Sequence, residues 1–264
     1  MKAVSKKSLL FTILIIALIA VIAVGGTVAY LSGEDEVTNT FSIGRITVDL
    51  DEPNWDEDSG LELTPGKVME KDPTVTAITG TSYMRVRMDI VDAEGELITD
   101  VARINLILET LYHDLEGLGT NIDVTKMYYE SDLQSMVTAN KLNKGYNKAD
   151  FAFAGIQTGN PAVRYYNYIA NDGIFDSSKV DSKTVVLFTN VIIPKDWHNE
   201  EIYILSGDEY EAKPNGAVEV ITKGTGYKIL LKAEAIQSSE TENPAKAFGI
   251  LNTATGVTLD ASGI

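Results

Sequence analysis

The sequence predicts a mostly β protein, a jelly roll or β-sandwich of about nine or ten strands with one inserted helix. Short segments alternate apolar and polar residues with a period of two, most clearly in 83–91, where Met84, Val86, Met88 and Ile90 share one face. This alternation is typical of half-buried strands. Only residues 100–118 keep the i, i+3, i+4 apolar spacing of an amphipathic helix. No internal repeat or proline-rich linker divides the chain.

The other strands are predicted where runs of apolar or β-branched residues lie between turn signals. They are 41–50, with a bulge at 44–45, then 73–79, 126–130, 150–157, 162–169, 184–193, 201–205, 217–222 and 227–237. The run 184–193 is almost continuously apolar and therefore predicts one central strand that Pro194 ends. Thr99 or Asp100 can cap the start of the helix, and Gly117 or Gly119 can end it. Residues 243–251 predict a short helical turn, followed by a frayed tail at 252–264.

The N-terminus has the three parts of a secretory signal. A basic start precedes an apolar run from Leu9 to Val24, and the small-x-small triplet 27–29 follows it. Cleavage between Ala29 and Tyr30 would leave a flexible segment, 30–41, before a jelly-roll domain at 42–251. The alternative is an uncleaved anchor, although about 16 apolar residues fall short of the roughly 20 that span a bilayer. The expectation is a secreted protein that meets the membrane only through this signal before cleavage.

Charge and composition exclude several classes of function. The formal charge is −16, and it becomes −19 once the signal, with three lysines and no acidic residue, is removed. Such a chain is repelled by nucleic acid and by anionic membrane surfaces. There is no cysteine, which excludes thiol catalysis and leaves stability to the core or to assembly with neighbours.

The sequence predicts no catalytic residue and no cofactor. The two histidines, His113 and His198, belong to no H-E-x-x-H motif and are expected on the surface or in loops. Carboxylates in the acidic stretch 51–60 could bind calcium, with Asp56 and Asp58 as the candidate ligands, or the stretch could be a solvated loop.

Two further groups are interpreted as structural. The tyrosine cluster, 165, 166 and 168, predicts core or cross-strand packing rather than a ligand platform. Arg85 and Arg87 are expected on the outer face of their strand, paired with some of the many carboxylates.

Several motifs, taken in order, resemble the TasA/camelysin (CalY) family of exported proteins of Gram-positive bacteria. They are Gly-Gly-Thr-Val-Ala-Tyr at 25–30, the run 39–50, Leu-Thr-Pro-Gly at 63–66 with Lys-Asp-Pro at 71–73, the strand 82–88, Leu-Phe-Thr-Asn-Val at 187–191 with Pro194, and Ala-Glu-Ala-Ile-Gln at 233–237. The resemblance spans nearly the whole chain and is weakest from 92 to 148.

The resemblance implies a jelly-roll subunit of extracellular biofilm-matrix fibres, released by a dedicated SipW-type signal peptidase. The freed N-terminal segment of one subunit would complete the sheet of the next by β-strand addition. Here the donor would be 30–41, whose apolar residues are Leu31, Val37 and Phe41. Two alternatives stay open: a camelysin-like surface metalloendopeptidase, and a monomeric adhesin anchored by an uncleaved signal helix.

Overall fold

A computed structural model describes residues 32–36, 39–40, 47–54, 63–179, 183–214, 217–224 and 226–261. Within these residues the protein is mostly β, with antiparallel sheets and four helices. The described chain contains seventeen strand segments, more than the nine or ten predicted, because several are only two to four residues long.

The largest sheet is built on two long strands, β6 (Thr81–Asp92) and β16 (Tyr227–Gln237), which pair along their length from Ser82↔Gln237 to Asp92↔Tyr227. Its order is β17-β9-β10-β6-β16-β1-β2, and β11 also pairs with β6. The other members are β1 (Ser32–Glu36), β2 (Asn39–Thr40), β9 (Phe151–Gln157), β10 (Asn160–Tyr168), β11 (Ile174–Asp176) and β17 (Leu259–Asp260).

Three smaller sheets complete the strand inventory of the described residues. One has the order β12-β5-β3 and contains β3 (Thr47–Asp51), β5 (Thr74–Thr79) and β12 (Thr184–Val186). The second has the order β4-β13-β7-β8 and contains β4 (Val68–Glu70), β7 (Leu111–Asp114), β8 (Leu142–Lys144) and β13 (Asn190–Ile192). The third is the hairpin of β14 (Glu209–Ala212) and β15 (Val218–Thr222).

One apolar cluster joins the large sheet to the three-stranded and four-stranded sheets. The predicted inner face of β6 is fully buried and packs with Ala233 and Ala235 of β16. Val75 of β5 and Val191 of β13 belong to the same cluster. Each fully buried aliphatic side chain of this kind contributes about 1.5–3 kcal/mol, so this shared core holds the sheets together.

The first helix is shorter than predicted. Helix α1 (Val101–Glu109) begins at Asp100, whose carboxylate accepts from the Ala102 and Arg103 amides at 2.9 and 3.4 Å. The prediction of a helix over 100–118 is wrong beyond Thr110, because 111–114 form strand β7 between β13 and β8. All four residues of β7 are buried, so pairing and burial outweigh the helical period.

Three further helices lie in the described chain: α2 (Glu130–Thr138), α3 (Asn199–Ser206) and α4 (Pro244–Thr255). The predicted strand 126–130 is wrong, since 126–129 pair with no strand and α2 begins at Glu130. The predicted strand 201–205 is also wrong. In α3 the Glu201 carboxylate accepts from the His198 amide at 3.0 Å, and Gly207, at φ +78°, ends the helix.

The apolar run 184–193 forms two strands rather than one. Strand β12 belongs to the three-stranded sheet and β13 to the four-stranded sheet. Between them, the Leu187 amide donates to Pro73 O at 3.0 Å and the Thr189 amide donates to Tyr112 O at 3.0 Å. The run is mostly apolar because nearly all of it is buried while it crosses from one sheet to the other.

The C-terminal region is more regular than predicted. The helical turn expected at 243–251 is confirmed as α4, but it continues to Thr255, past the predicted start of a frayed tail at 252. Strand β17 then pairs with β9 through Leu259↔Gln157 and Asp260↔Ile156. Among the described residues, none of the helices has the length and apolar character needed to span a bilayer.

Candidate functional site

The outer edge of β16 is the part of the fold that bears most directly on the predicted β-strand addition. Apolar residues on its inner face, Ile229, Leu231, Ala233 and Ala235, are buried and fix the strand against the core. One edge of β16 pairs with β6 over eleven residues. The other edge pairs with β1 over five, from Lys232 to Ile236.

Strand β1 comes from the N-terminal segment predicted to be a donor. It runs antiparallel to β16, with Ser32 opposite Ile236 and Glu36 opposite Lys232. Its sequence, Ser-Gly-Glu-Asp-Glu, contains no apolar side chain. Backbone hydrogen bonds of the ladder are therefore the main attraction that can hold it to β16. The short β2 then pairs with β1 at its own outer edge, through Asp35↔Thr40 and Glu36↔Asn39.

The remaining half of the β16 edge is open in the described part of the chain. No described strand pairs with the outer edge of 227–231. The Lys228 ammonium donates to Ala93 O at 2.7 Å, and Leu230 is 48% exposed. An unpaired strand edge offers free backbone N–H and C=O groups to another chain, so β16 has room to pair beyond β1.

A buried ion pair stiffens β16 next to the β1 ladder. The Arg85 Nε of β6 lies 2.5 Å from the Glu234 carboxylate of β16, and both side chains are almost fully buried. Arg85 also donates to the Asn252 side chain of α4, and its guanidinium lies 4.5 Å from the centroid of the Tyr165 ring. Arg87 pairs with Asp89 at 2.7 Å on the same strand. The predicted pairing with carboxylates is confirmed, but Arg85 lies beneath α4 rather than on an open outer face.

The residues predicted for the junction and the calcium loop lie outside the described residues. These are Ala29, Tyr30, Leu31, Val37, Phe41, Asp56 and Asp58, together with the predicted bulge at 44–45. Of the acidic stretch, Glu52 is described, and its carboxylate binds the Lys71 ammonium at 2.7 Å. Within the described ranges, no group of three histidine, aspartate or glutamate residues is placed to hold a metal ion.

The histidines occupy different environments. The prediction of a surface or loop position is wrong for His113, which lies in β7 and is 9% exposed. Burial lowers the pKa of His113 to about 4, while neighbouring Asp114 acts in the opposite direction. Its Nδ1 has no hydrogen-bond partner within the part of the chain that the structure describes. His198 is exposed and immediately precedes α3, as predicted for a loop residue.

The tyrosine prediction is confirmed, since Tyr165, Tyr166 and Tyr168 are all buried. Sequence reasoning missed the role of Glu234, which occupies a polar position of an alternating strand and therefore seemed solvated. The one available signal was the apolar and small residues of 244–251, which can cover the outer face of a sheet when they form a helix.

Searches against protein-family models, curated proteins and solved structures find no match to this chain.

Proposed function

We propose that the chain is an exported structural subunit of extracellular biofilm-matrix or cell-surface fibres. In the fibre, the N-terminal segment of one copy occupies the outer edge of β16 in the next copy. The observation that carries the proposal is the pairing of Ser32–Glu36 with that edge. The role is structural rather than catalytic.

The position of β1 supports exchange between copies. It begins three residues after Ala29, the predicted last residue of the signal. Processing by a SipW-type signal peptidase would therefore free the end of the strand. A segment that pairs within its own chain can make the same contacts in an identical neighbour, which is the principle of domain swapping. The exchange then loses no hydrogen bond of the ladder.

The open half of the β16 edge supports a net gain in stability when copies join in a fibre. A segment delivered by a neighbour can also meet the backbone groups of 227–231, which no described strand of the same chain uses. Each additional backbone hydrogen bond contributes about 0.5–1.5 kcal/mol. The proposal includes the jelly-roll arrangement of residues 42–251, supported by the apolar cluster that joins the large sheet to the three-stranded and four-stranded sheets.

The absence of native cysteine allows a direct test with mixed subunits. One batch of protein starting at residue 30 carries G33C, and a second batch carries A235C, since these residues are opposite each other in the ladder. A second pair, E36C with K232C, samples the other class of antiparallel position. We expect a covalent dimer to form after mixing and mild oxidation, because each disulfide can join only two different chains.

The matched control mixes G33C with K228C, which lies on the same strand but outside the β1 register. Filaments in electron micrographs should appear under the conditions that give the specific cross-link. Cross-linking only when both cysteines are placed in one chain would show that the segment stays in its own subunit, and would overturn the proposal.

A further inference from the structure

A cavity of about 360 Å³ opens against one face of the large sheet, where residues of β6, β9 and β10 line it. Its volume is within the range of small-molecule sites, roughly 300–1,000 Å³. The apolar part of its wall consists of Met88, Leu108, Leu111, Phe153 and Tyr166. The rings of Phe153 and Tyr166 lie 5.7 Å apart, and Tyr146 lies 4.8 Å from Tyr166. The wall therefore suits an apolar or aromatic group.

Three cationic side chains line the same cavity: Arg164, Lys144 and Lys148. Lys144 is 3.8 Å from the exposed carboxylate of Glu109, and Lys148 is 6.0 Å from the centre of the Tyr146 ring. In a protein with a formal charge of −16, three cations around one cavity form an unusual local surplus of positive charge. Such a surplus concentrates anions.

Arg164 is half-buried at this cavity. It extends from β10 to the face that carries Tyr166, and its Nε is buried without a hydrogen-bond partner among the described residues. Its Cζ lies 5.6 Å from the centroid of the Phe153 ring. Burial lowers the pKa of Arg164, with Tyr166 opposing the effect. A guanidinium whose Nε is removed from water without an acceptor is costly, so a bound anion would stabilise Arg164.

A donor of a second kind lies beside it. Burial raises the pKa of Tyr166 to about 12, partly offset by Arg164. The Tyr166 hydroxyl keeps its proton at neutral pH, as an ordinary tyrosine does, and can donate a hydrogen bond to an anionic oxygen. The planar guanidinium fork matches the two-oxygen geometry of a carboxylate, and a hydroxyl can add a further donor.

We propose that this cavity binds a small organic carboxylate with an apolar or aromatic body. Arg164 holds the carboxylate, Lys144 and Lys148 add positive charge at the mouth, and the apolar wall receives the body of the ligand. No residue of β16 lines the cavity, so ligand binding can be tested independently of fibre assembly.

The test uses phenylacetate as the probe, with the uncharged phenylacetamide and inorganic phosphate as comparisons. Binding is followed by thermal unfolding and by amide chemical shifts at Gly145 and Phe153, which lie at the cavity. We expect phenylacetate to raise Tm and to shift these resonances, with phosphate weaker and phenylacetamide weaker still. In R164M the dissociation constant should rise roughly tenfold or more, as for loss of a charge-assisted hydrogen bond.

Thermal unfolding without ligand distinguishes an arginine that binds a ligand from one that stabilises the fold. Without ligand, R164M should unfold at the same or a higher temperature than the natural chain, because it loses a half-buried charge whose Nε has no acceptor among the described residues. K246M, which changes an exposed lysine of α4, is the matched control and should bind phenylacetate normally. Equal binding of phenylacetate by R164M, no response to phenylacetate, or equal responses to the acid and its amide would each overturn the proposal. Phosphate binding as tight as phenylacetate would overturn the role of the apolar wall.

Discussion

At the scale of single residues, His113 couples stability to acidity. Its pKa in the folded protein is about 4, below the ordinary value of 6.5, because it is buried. The unfolded chain therefore binds more protons than the folded chain between these two values. Stability from this residue is complete above about pH 6.5 and is lost as the pH falls towards 4, by about 3 kcal/mol in total.

The first prediction follows from this loss of stability at acidic pH. H113Q should lose less stability than the natural chain between pH 7 and pH 4.5, because glutamine does not titrate. Urea unfolding at the two pH values measures the difference. H198Q, which changes the exposed histidine, should keep the natural pH dependence. An unchanged pH dependence in H113Q would contradict the prediction, whatever its stability at pH 7.

The second prediction concerns the buried pair of Arg85 and Glu234. E234Q should destabilise the protein by about 3–5 kcal/mol, because it leaves a buried arginine without its counter-charge. The double variant R85M/E234L should recover much of this loss, since a well-packed apolar pair avoids both desolvation costs. D89N is the control, because its pair with Arg87 is partly exposed and should contribute about 1 kcal/mol or less.

Denaturant unfolding of these variants decides between a charge pair and simple packing. If E234Q and D89N lower the free energy of unfolding by the same amount, burial does not set the strength of the Arg85–Glu234 pair.

The position of Arg85 on the outer face could be predicted from the alternation in β6. Its burial could not, because it depends on α4, which arrives more than a hundred residues later in the sequence.

At the scale of elements, the junction between β9 and β17 depends on one glycine. Gly155 has φ +141°, and a Cβ built there would lie 2.7 Å from Asp260 O. No side chain can occupy that position unless β17 moves. Strand β17 therefore packs directly against the backbone of β9 at Gly155.

We predict opposite signs for two glycine-to-alanine changes. G155A should destabilise the protein by about 1–3 kcal/mol and release β17, through both its backbone conformation and the clash. G249A should stabilise it by about 0.5–1 kcal/mol, because Gly249 lies inside α4 with open space around it. Hydrogen exchange at Leu259 and Asp260 reports on β17, and unchanged protection in G155A would contradict the assignment.

The element predictions succeeded where one signal dominated. The long strands at 83–91 and 227–237 each keep one face apolar at every second residue, and both are confirmed. The predicted helix 100–118 failed in its second half because Leu111 fits the helical period and is equally suited to a buried strand. At 201–205 a short apolar run was compatible with a strand or a helix, and the capping carboxylate of Glu201 decided for the helix.

At the scale of the whole molecule, charge should control association. Cleavage at the predicted signal site would leave a formal charge of −19. Copies that approach each other repel unless the charge is screened or titrated. We predict that filaments of the processed protein form faster at 500 mM than at 20 mM sodium chloride, and faster with millimolar calcium or at pH 5. Light scattering and electron microscopy measure the rates, and assembly insensitive to all three conditions would contradict this.

Part of the proposed assembly site could be predicted from sequence. The resemblance implies a donor segment at 30–41, and residues 32–36 of it pair with β16 of the same chain. The acceptor could not be identified, since nothing local to β16 shows which strand lies at its outer edge. That strand comes from a distant part of the chain.

The order of strands also sets a sequence of events in time. Strand β1 lies at the beginning of the chain, whereas its partner β16 lies near the end, and contacts between such distant segments form slowly. On an export route that delivers the N-terminus first, β1 reaches the outside well before its own β16 does. During that interval, the only complete β16 within its reach belongs to a copy that has already folded. Growth of a fibre would then compete with the folding of a lone subunit from the moment the chain emerges.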